Sequence, residues 1–292
     1  MDSSQPHPSN ATPFETPFMV IEPPKGWFQV NWHEVWQFRE LLYFLTWRDV
    51  KVKYKQALLG FAWAVIVPIT NMLIFGTIFG QVAELPTGGV DPYIFYLVGL
   101  VPWQYFATAV NMASQAMVSQ QDLLTKIYLP RLFLPAAACI ANLLDYGLAF
   151  VVMIVLMLCM QVVPAATTLL VIPIMLVAIL TALGVGLFFA ALNVKYRDIK
   201  FVIPFLVQIW MYVSILLSYS QLPESWGAWR YLYGLNPMAV VIEASRWAML
   251  SHIMTETPPL ILFVTGIPSA VFLFLFGLFY FKRMEKMFAD VV

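Results

Sequence analysis

Charged residues are absent from long blocks of this chain, and each of these blocks is predominantly apolar. The uncharged blocks are 56–83, 92–121, 201–223 and 257–281, and the block 132–194 contains a single charge, Asp145. A helix needs about 20 mostly apolar residues to cross a hydrocarbon core about 30 Å thick. The pattern therefore predicts helices that span a membrane, one in each shorter block and two in the longest.

Turn residues divide these blocks into six predicted spans. Pro164, in "QVVPAA", lies where two helices of the longest block should be separated. Residues 220–258 are too interrupted to cross a membrane, and their pieces "AWRYLYG" and "NPMAVVIEASRWAML" predict short helices that lie at the membrane surface or dip into it. We predict an all-α polytopic membrane protein with spans at 57–80, 93–118, 132–161, 167–194, 201–219 and 259–281.

Composition supports this class. Hydrophobic residues make up 61% of the 292 residues and charged residues 11%, against about 25% charged in soluble domains. Cys139 and Cys159 fall on one predicted helix about 30 Å apart, too far for a disulfide within the chain. Residues 1–25 are polar and Pro-rich without an apolar core, so we expect a flexible cytoplasmic tail rather than a signal peptide.

The distribution of basic residues predicts the orientation. With six spans, all 16 Lys and Arg residues except Arg230 and Arg246 fall on one side of the membrane. Cytoplasmic loops carry the excess of Lys and Arg. We therefore expect a multi-pass protein of the bacterial cytoplasmic membrane with both termini in the cytoplasm.

The segment 26–56, just before the first span, ends in a basic cluster of Arg48, Lys51, Lys53 and Lys55. Such cations bind an anionic inner leaflet with about 1 kcal/mol each. The stretch "VKVKYK" also alternates like a strand, but an unpaired strand against lipid would leave its backbone groups unsatisfied. We predict an amphipathic helix that lies in the membrane interface.

Catalytic chemistry is not evident in the sequence. There is no phosphate-binding loop of the G-x-x-x-x-G-K-[ST] type, so this chain should not bind ATP by that route. The three histidines are scattered without metal-ligand spacing, and the neighbouring Ser251 and His252 do not make a triad. A membrane-embedded transferase would need clustered carboxylates or a His–Asp pair. We therefore predict neither an enzyme nor a metal site.

Asp145 is the only charged residue inside a predicted span. A carboxylate within a membrane is costly and by default indicates a functional site. Alternatively, Asp145 lies near the cytoplasmic end of its helix and pairs with Asn142 or with a basic residue of another helix. The sequence leaves both interpretations open.

A polar stripe runs along the second predicted span. Gln104, Thr108, Asn111 and Gln115 fall on one face of the helix, and the neighbouring aromatic residues lie deeper than interfacial Trp and Tyr usually do. Polar groups at this depth face protein or water rather than lipid. They either hydrogen-bond neighbouring helices or line a conduit suited to sugars, together with Trp103, Tyr105, Trp63, Thr70, Gln208 and Tyr212.

Several segments, taken as a set, resemble the membrane permease subunit of type-2 ABC exporters, in the branch that exports O-antigen, capsule and teichoic acid. They are "FRELLYFLTWRDVKVKYKQALLGFAWAVIVP", "LVPWQYF", "QQDLLTKIYLPRLFLP", "ALNVKYRDIKFVIPFLVQIW" and "YLYGLNPMAVVIEASRW". The resemblance implies a six-span permease domain over 57–292, which works as a homodimer with two copies of a separate ATPase. That partner would bind ATP and Mg, and the substrate would be a lipid-linked polysaccharide. An exporter of drugs or small lipids is the alternative; no nucleic acid is implied.

The resemblance also assigns roles to two connections. The loop 119–131 would hold a coupling helix that meets the ATPase, and residues 226–251, within the region 220–258, would form short gate helices on the outer side. The apolar positions of the loop independently favour a docking helix. The residues expected to couple the permease to the ATPase are Gln121, Asp122, Leu123, Leu124, Lys126, Ile127, Tyr128 and Arg131.

Overall fold

The computed structural model describes residues 36–55, 62–126, 129–196, 198–216, 218–219, 222, 225, 232–254 and 260–291. For 124–126, 261 and 286–291 the description covers the backbone alone. The predicted tail 1–25, the first part of the interface segment and the coupling residues Ile127 and Tyr128 lie outside the described residues.

Within this part of the chain, all regular structure is helical, and the prediction of an all-α polytopic membrane protein is confirmed. The α-helices are α1 (Arg39–Lys55), α2 (Ala62–Phe75), α3 (Pro92–Ser119), α4 (Gln121–Lys126), α5 (Phe133–Cys159), α6 (Val171–Lys195), α7 (Ile199–Ile215), α8 (Pro237–Leu250) and α9 (Leu260–Val291). A π-helix, Gly76–Val82, extends α2, and a 3-10 helix, Ala166–Leu170, leads into α6.

Five of these helical segments are long and apolar enough to cross a membrane: Ala62–Val82, Pro92–Ser119, Phe133–Cys159, Ala166–Lys195 and Leu262–Glu285. The predicted span 201–219 coincides with α7, a shorter apolar helix of 17 residues. The predicted turn at Pro164 is also present, because α5 ends at Cys159 and Gln161 adopts a left-handed conformation with φ 61°.

Helix α3 lies at the centre of the bundle, in contact with α2, α5, α6, α7 and α8. Helix α6 packs along α9, the most extensive helix pair in the described chain.

Two N-caps fix where α3 and α8 begin. Asp91 accepts a hydrogen bond from the Tyr93 amide (2.9 Å), and Asn236 accepts from two amides at the start of α8.

The connections define two ends of the bundle. The α4 end contains α1, α4 and the last turns of α3, α6 and α9, whereas the α8 end contains α8 and the first turns of α3, α6 and α9. The described Lys and Arg residues gather at the α4 end, and Arg246 alone among them lies at the α8 end. The sequence placed Arg246 on the opposite side from these cations, and this separation is present in the structure.

The basic segment before the first span forms a helix, as predicted, rather than a strand. Helix α1 packs against α5 and buries Leu45, which is 1% exposed. In the predicted gate region, α8 follows a 3-10 turn over residues 232–235, while residues 226–231 lie outside the described part.

Candidate functional site

The polar stripe is the face of α3 that its neighbours leave uncovered. Beyond the first turn of α3, the half-buried or exposed residues are Gln104, Ala107, Thr108, Asn111, Met112, Gln115, Val118 and Ser119. The remainder of α3 is buried, so the four stripe residues predicted to line a path are, together with Ser119, the polar positions of this open face. A face of this composition is unsuited to lipid.

None of the four stripe side chains hydrogen-bonds another helix in the described part of the chain. Thr108 donates to the Gln104 carbonyl (2.8 Å), and Asn111 donates to the Ala107 carbonyl (2.7 Å). Gln115 donates to the Asn111 carbonyl (3.3 Å), while the Oδ1 atom of Asn111 is buried without a hydrogen-bond partner. Within one protomer, the stripe therefore does not join helices to each other.

Other polar side chains of the same region do join helices. Asn193 of α6 donates to the Ser114 carbonyl of α3 (3.0 Å), and Asn142 of α5 reaches the sulfur of Met112 (3.2 Å). This contrast separates the polar residues that hold the bundle together from those that the bundle leaves available.

A cavity of about 200 Å³ opens beside the stripe, between α1, α2, α3 and α5. It brings together four of the predicted path residues with the carboxylate of Asp145. Its lining consists of Lys53, Tyr54, Trp63, Ala64, Val67, Pro68, Val101, Gln104, Tyr105, Thr108, Asp145, Tyr146 and Ala149. We call it the α1–α5 cavity.

Asp145 pairs with a basic residue of another helix, as one of the two sequence interpretations proposed. Lys53 of α1 forms an ion pair with Oδ2 of Asp145, and the Tyr54 hydroxyl donates to Oδ1. Lys53 also donates to Oδ1 of Asn142 (3.1 Å). Burial, and then the hydrogen bond to the Asp145 carboxylate, raise the pKa of Tyr54 above its usual value, so its hydroxyl stays protonated and continues to donate.

We expect Lys53→Met to loosen α1 from α5, because Asp145 then loses its cationic partner. A partly exposed ion pair of this kind contributes about 1 kcal/mol, which corresponds to about fivefold faster local opening. Amide hydrogen exchange across α1 measures this change. Lys55→Met is the matched control, since Lys55 is exposed and makes no ion pair in the described part of the chain. Equal exchange in the two variants would contradict the tether.

The remaining predicted path residues lie elsewhere. Trp103 is 2% exposed and packs edge-on against Trp210 of α7, with ring centroids 6.4 Å apart. Gln208 and Tyr212 form an exposed pair on α7 (3.3 Å). Thr70 is exposed on α2. Trp103 thus lies in the core between α3 and α7, away from the α1–α5 cavity.

Two contacts connect the α4 region to the rest of the bundle. Arg48 of α1 donates to the side chain of Gln120, the residue directly before α4. Arg131, just after the loop, donates to the backbone carbonyl of Glu285 in α9 (2.7 Å). Of the predicted coupling residues, Gln121 to Lys126 form α4 itself. Two of the four cations predicted to bind lipid, Arg48 and Lys53, thus contact residues outside α1.

One buried hydrogen-bond network, around Arg246, was not predicted from the sequence. Arg246 of α8 is fully buried, donates to Glu243 (3.2 Å) and lies 3.7 Å from the centroid of the Phe95 ring. A Glu and an Arg three residues apart within an apolar segment were the available signal, because such a pair shares a helix face.

No group of three His, Cys, Asp or Glu residues able to hold a metal occurs among the described residues.

Comparison with known proteins identifies the family. The family profile described as ABC-2 type transporter matches residues 40–250. This match covers α1 to α8 and therefore includes the polar stripe, the α1–α5 cavity and the α4 region.

Individual relatives match most of the chain. An O-antigen export system permease protein RfbA of Myxococcus xanthus is 28% identical over 227 residues, 78% of this chain and 86% of that protein. A protein of the same name from Klebsiella pneumoniae is 26% identical over 259 residues, 87% of this chain and 95% of that protein. The polysialic acid transport protein KpsM of Escherichia coli is 24% identical over 211 residues, 72% of this chain and 81% of that protein.

Proposed function

This chain belongs to the ABC-2 type transporter family, and from that premise we propose that it is the membrane permease of a polysaccharide exporter. The observation that carries the proposal is that relatives matching most of the chain are named for O-antigen export and polysialic acid transport. The chain is a transport subunit and not an enzyme. Its substrate would be a lipid-linked glycan of the O-antigen, capsule or teichoic-acid type.

The open face of α3 supports a polar route between two copies of the chain. A single protomer leaves the stripe partly uncovered, and its side chains hydrogen-bond no other helix in the part of the chain that the structure describes. Two copies that face each other would enclose these stripes, with Gln208 and Tyr212 of α7 as further polar groups. The functional unit in this proposal is a homodimer whose interior guides the glycan.

Energy would come from two copies of a cytoplasmic ATPase, which bind the ATP and Mg that drive transport. The α4 end of the bundle faces the cytoplasm in this arrangement, since the Lys and Arg residues gather there. Helix α4 would contact the ATPase. Arg48 and Arg131 are placed to pass its movement on, because they bond Gln120 beside α4 and the Glu285 carbonyl of α9.

The experiment combines deletion of the gene in its source organism with complementation by variants. Deletion should retain the polysaccharide inside the cell, as measured by lectin or antibody staining of intact and permeabilised cells. Wild-type chain should restore surface staining. The variant Thr108→Leu/Asn111→Leu should lower it at least tenfold, because apolar bulk replaces the polar groups of the route.

Assembly of this double variant should remain normal, since hydrogen bonds in membrane helices contribute about 0.6 kcal/mol each on average. Thr181→Val is the matched control. Thr181 is buried in α6 and, like Thr108, donates to the carbonyl four residues earlier (Val177, 2.8 Å), but it lies off the stripe. Normal export by the Leu double variant would remove the stripe from the route. Unchanged surface glycan after gene deletion would refute the proposed function itself.

A further inference from the structure

We propose that the α1–α5 cavity binds one neutral sugar ring of the glycan. This inference rests on the proposed function and adds to it the part of the substrate that the permease recognises. Three properties of the cavity carry it: its charges cancel, it holds neutral polar groups without a partner among the described residues, and aromatic side chains contribute to its wall.

The charges of the lining disfavour an anionic ligand such as a phosphate or pyrophosphate group. Lys53 is the only cation of the lining, and its ammonium group already contacts Asp145 and Asn142. An anion would have to share Lys53 with Asp145 and would lie beside its carboxylate, so the repulsion between the two negative charges opposes binding. The cavity is therefore suited to a ligand without charge.

Two polar groups that have no hydrogen-bond partner in the described part of the chain disfavour a purely apolar ligand such as an acyl or isoprenyl chain. The amide of Gln104 and the hydroxyl of Tyr146 line the cavity and make no hydrogen bond within the described part of the chain. An apolar chain would bury both without partners, at about 1–3 kcal/mol for each. Hydroxyl groups of a sugar can donate to the amide oxygen and accept from the amide and the phenol.

The aromatic side chains favour a ring with apolar faces over a plain polar ligand. Tyr54, Trp63, Tyr105 and Tyr146 contribute rings to the wall, and small apolar residues occupy the space between them. A pyranose has C–H groups on its faces and hydroxyl groups around its edge, so it matches apolar ring surfaces combined with a few polar groups.

The size of the cavity suits a single ring. Its volume is about 200 Å³, and it is open on one side, so the rest of the glycan lies outside it. Asp145 is a further polar group in the lining of the cavity. Asp145 already accepts from Lys53 and Tyr54, but carboxylate oxygens accept more than one hydrogen bond each, so Asp145 can also accept from a sugar hydroxyl.

Saturation-transfer NMR on the full chain in phosphatidylcholine nanodiscs tests the site. The probes are the methyl pyranosides of glucose, galactose, mannose and rhamnose, with pentan-1-ol and inorganic phosphate as competitors. We expect saturation transfer from the protein to the ring protons of at least one glycoside. Neither competitor should reduce this signal. Gln104→Met and Tyr146→Phe should each weaken binding about three- to tenfold, the effect of one hydrogen bond.

A matched pair of variants locates the signal. Ala149→Phe fills the cavity and should abolish saturation, whereas Gly147→Phe adds the same ring two residues away, on an open surface of α5, and should leave it unchanged. Equal saturation in both variants overturns the proposal, and so does displacement by pentan-1-ol or phosphate. Absence of saturation for every glycoside overturns it as well and indicates a cavity that holds water only.

Failure of this site is distinguishable from failure of the proposed function. If gene deletion abolishes export and no glycoside binds, the permease function stands and the sugar site falls. If a glycoside binds at the cavity and gene deletion leaves export unchanged, the site stands and its connection to export falls.

Discussion

Replacing Gly277 with Ala should separate α6 from α9 and prevent normal folding of the permease. A Cβ atom at position 277 would lie 1.9 Å from the carbonyl oxygen of Gly184, and one at position 184 would lie 2.5 Å from the Leu273 carbonyl oxygen. Both obstacles are backbone atoms, so no rotamer change relieves them. Small residues allow such close approach of helices in membranes.

The expected loss exceeds an ordinary overpacking effect of about 1–3 kcal/mol, because the most extensive helix pair of the described chain must move apart. Thermal unfolding of the purified protein, together with the yield of monodisperse material, measures it. Gly147→Ala is the control, since a Cβ atom there meets nothing within 4 Å and Ala is the better helix former. If Gly277→Ala unfolds at the wild-type temperature, backbone contact does not hold α6 against α9.

Most of the helical layout could be predicted because the membrane imposes it. Uncharged blocks of about 20 residues must become helices in lipid, and Pro164 separates two of them. The π-helix Gly76–Val82 could not be predicted. It places Gly76 against the Tyr93 ring and Gly80 against Pro92, where a Cβ atom would lie 2.3 Å and 2.2 Å from these side chains. The need for these two close contacts arises from the packing against α3, so the sequence of residues 76–82 alone does not indicate a π-helix.

The part of the candidate site that could be predicted is the part in which helical periodicity alone decides which residues share a face. Their spacing places four residues on one face of α3, and the neighbouring helices leave that face open: Gln104, Thr108, Asn111 and Gln115. The identity of the Asp145 partner depends on the packing of α1 against α5, which joins residues 92 positions apart. Neighbouring positions on a helix point about 100° apart, and for this reason Trp103 lies in the core while Gln104 lines the cavity.

The Arg246 network depends on long-range packing in the same way, and it joins three helices at the α8 end. Nε of Arg246 donates to the Phe95 carbonyl of α3 (3.3 Å) and Nη2 donates to the Ile215 carbonyl of α7 (3.2 Å). Nη1 donates to Glu243, which also accepts from Ser218 (2.8 Å). The planar guanidinium group spreads its donors over three nitrogen atoms and so reaches three separated partners, whereas an ammonium group has all its donors on one atom.

Arg246→Met should therefore destabilise the protein by about 3–5 kcal/mol, because it leaves the buried Glu243 carboxylate without its cation. Arg246→Lys should recover only part of this loss, since Lys keeps the charge but lacks the fork. The double variant Arg246→Met/Glu243→Gln should be more stable than Arg246→Met alone, because it removes the uncompensated charge. Thermal unfolding of the wild type, Arg246→Met, Glu243→Gln and the double variant gives the coupling energy between positions 243 and 246. Additive effects of the two substitutions would mean that the ion pair within α8 does not contribute to stability. In that case the hydrogen bonds from Arg246 to the Phe95 and Ile215 carbonyls would be the contacts that fasten α8 to α3 and α7.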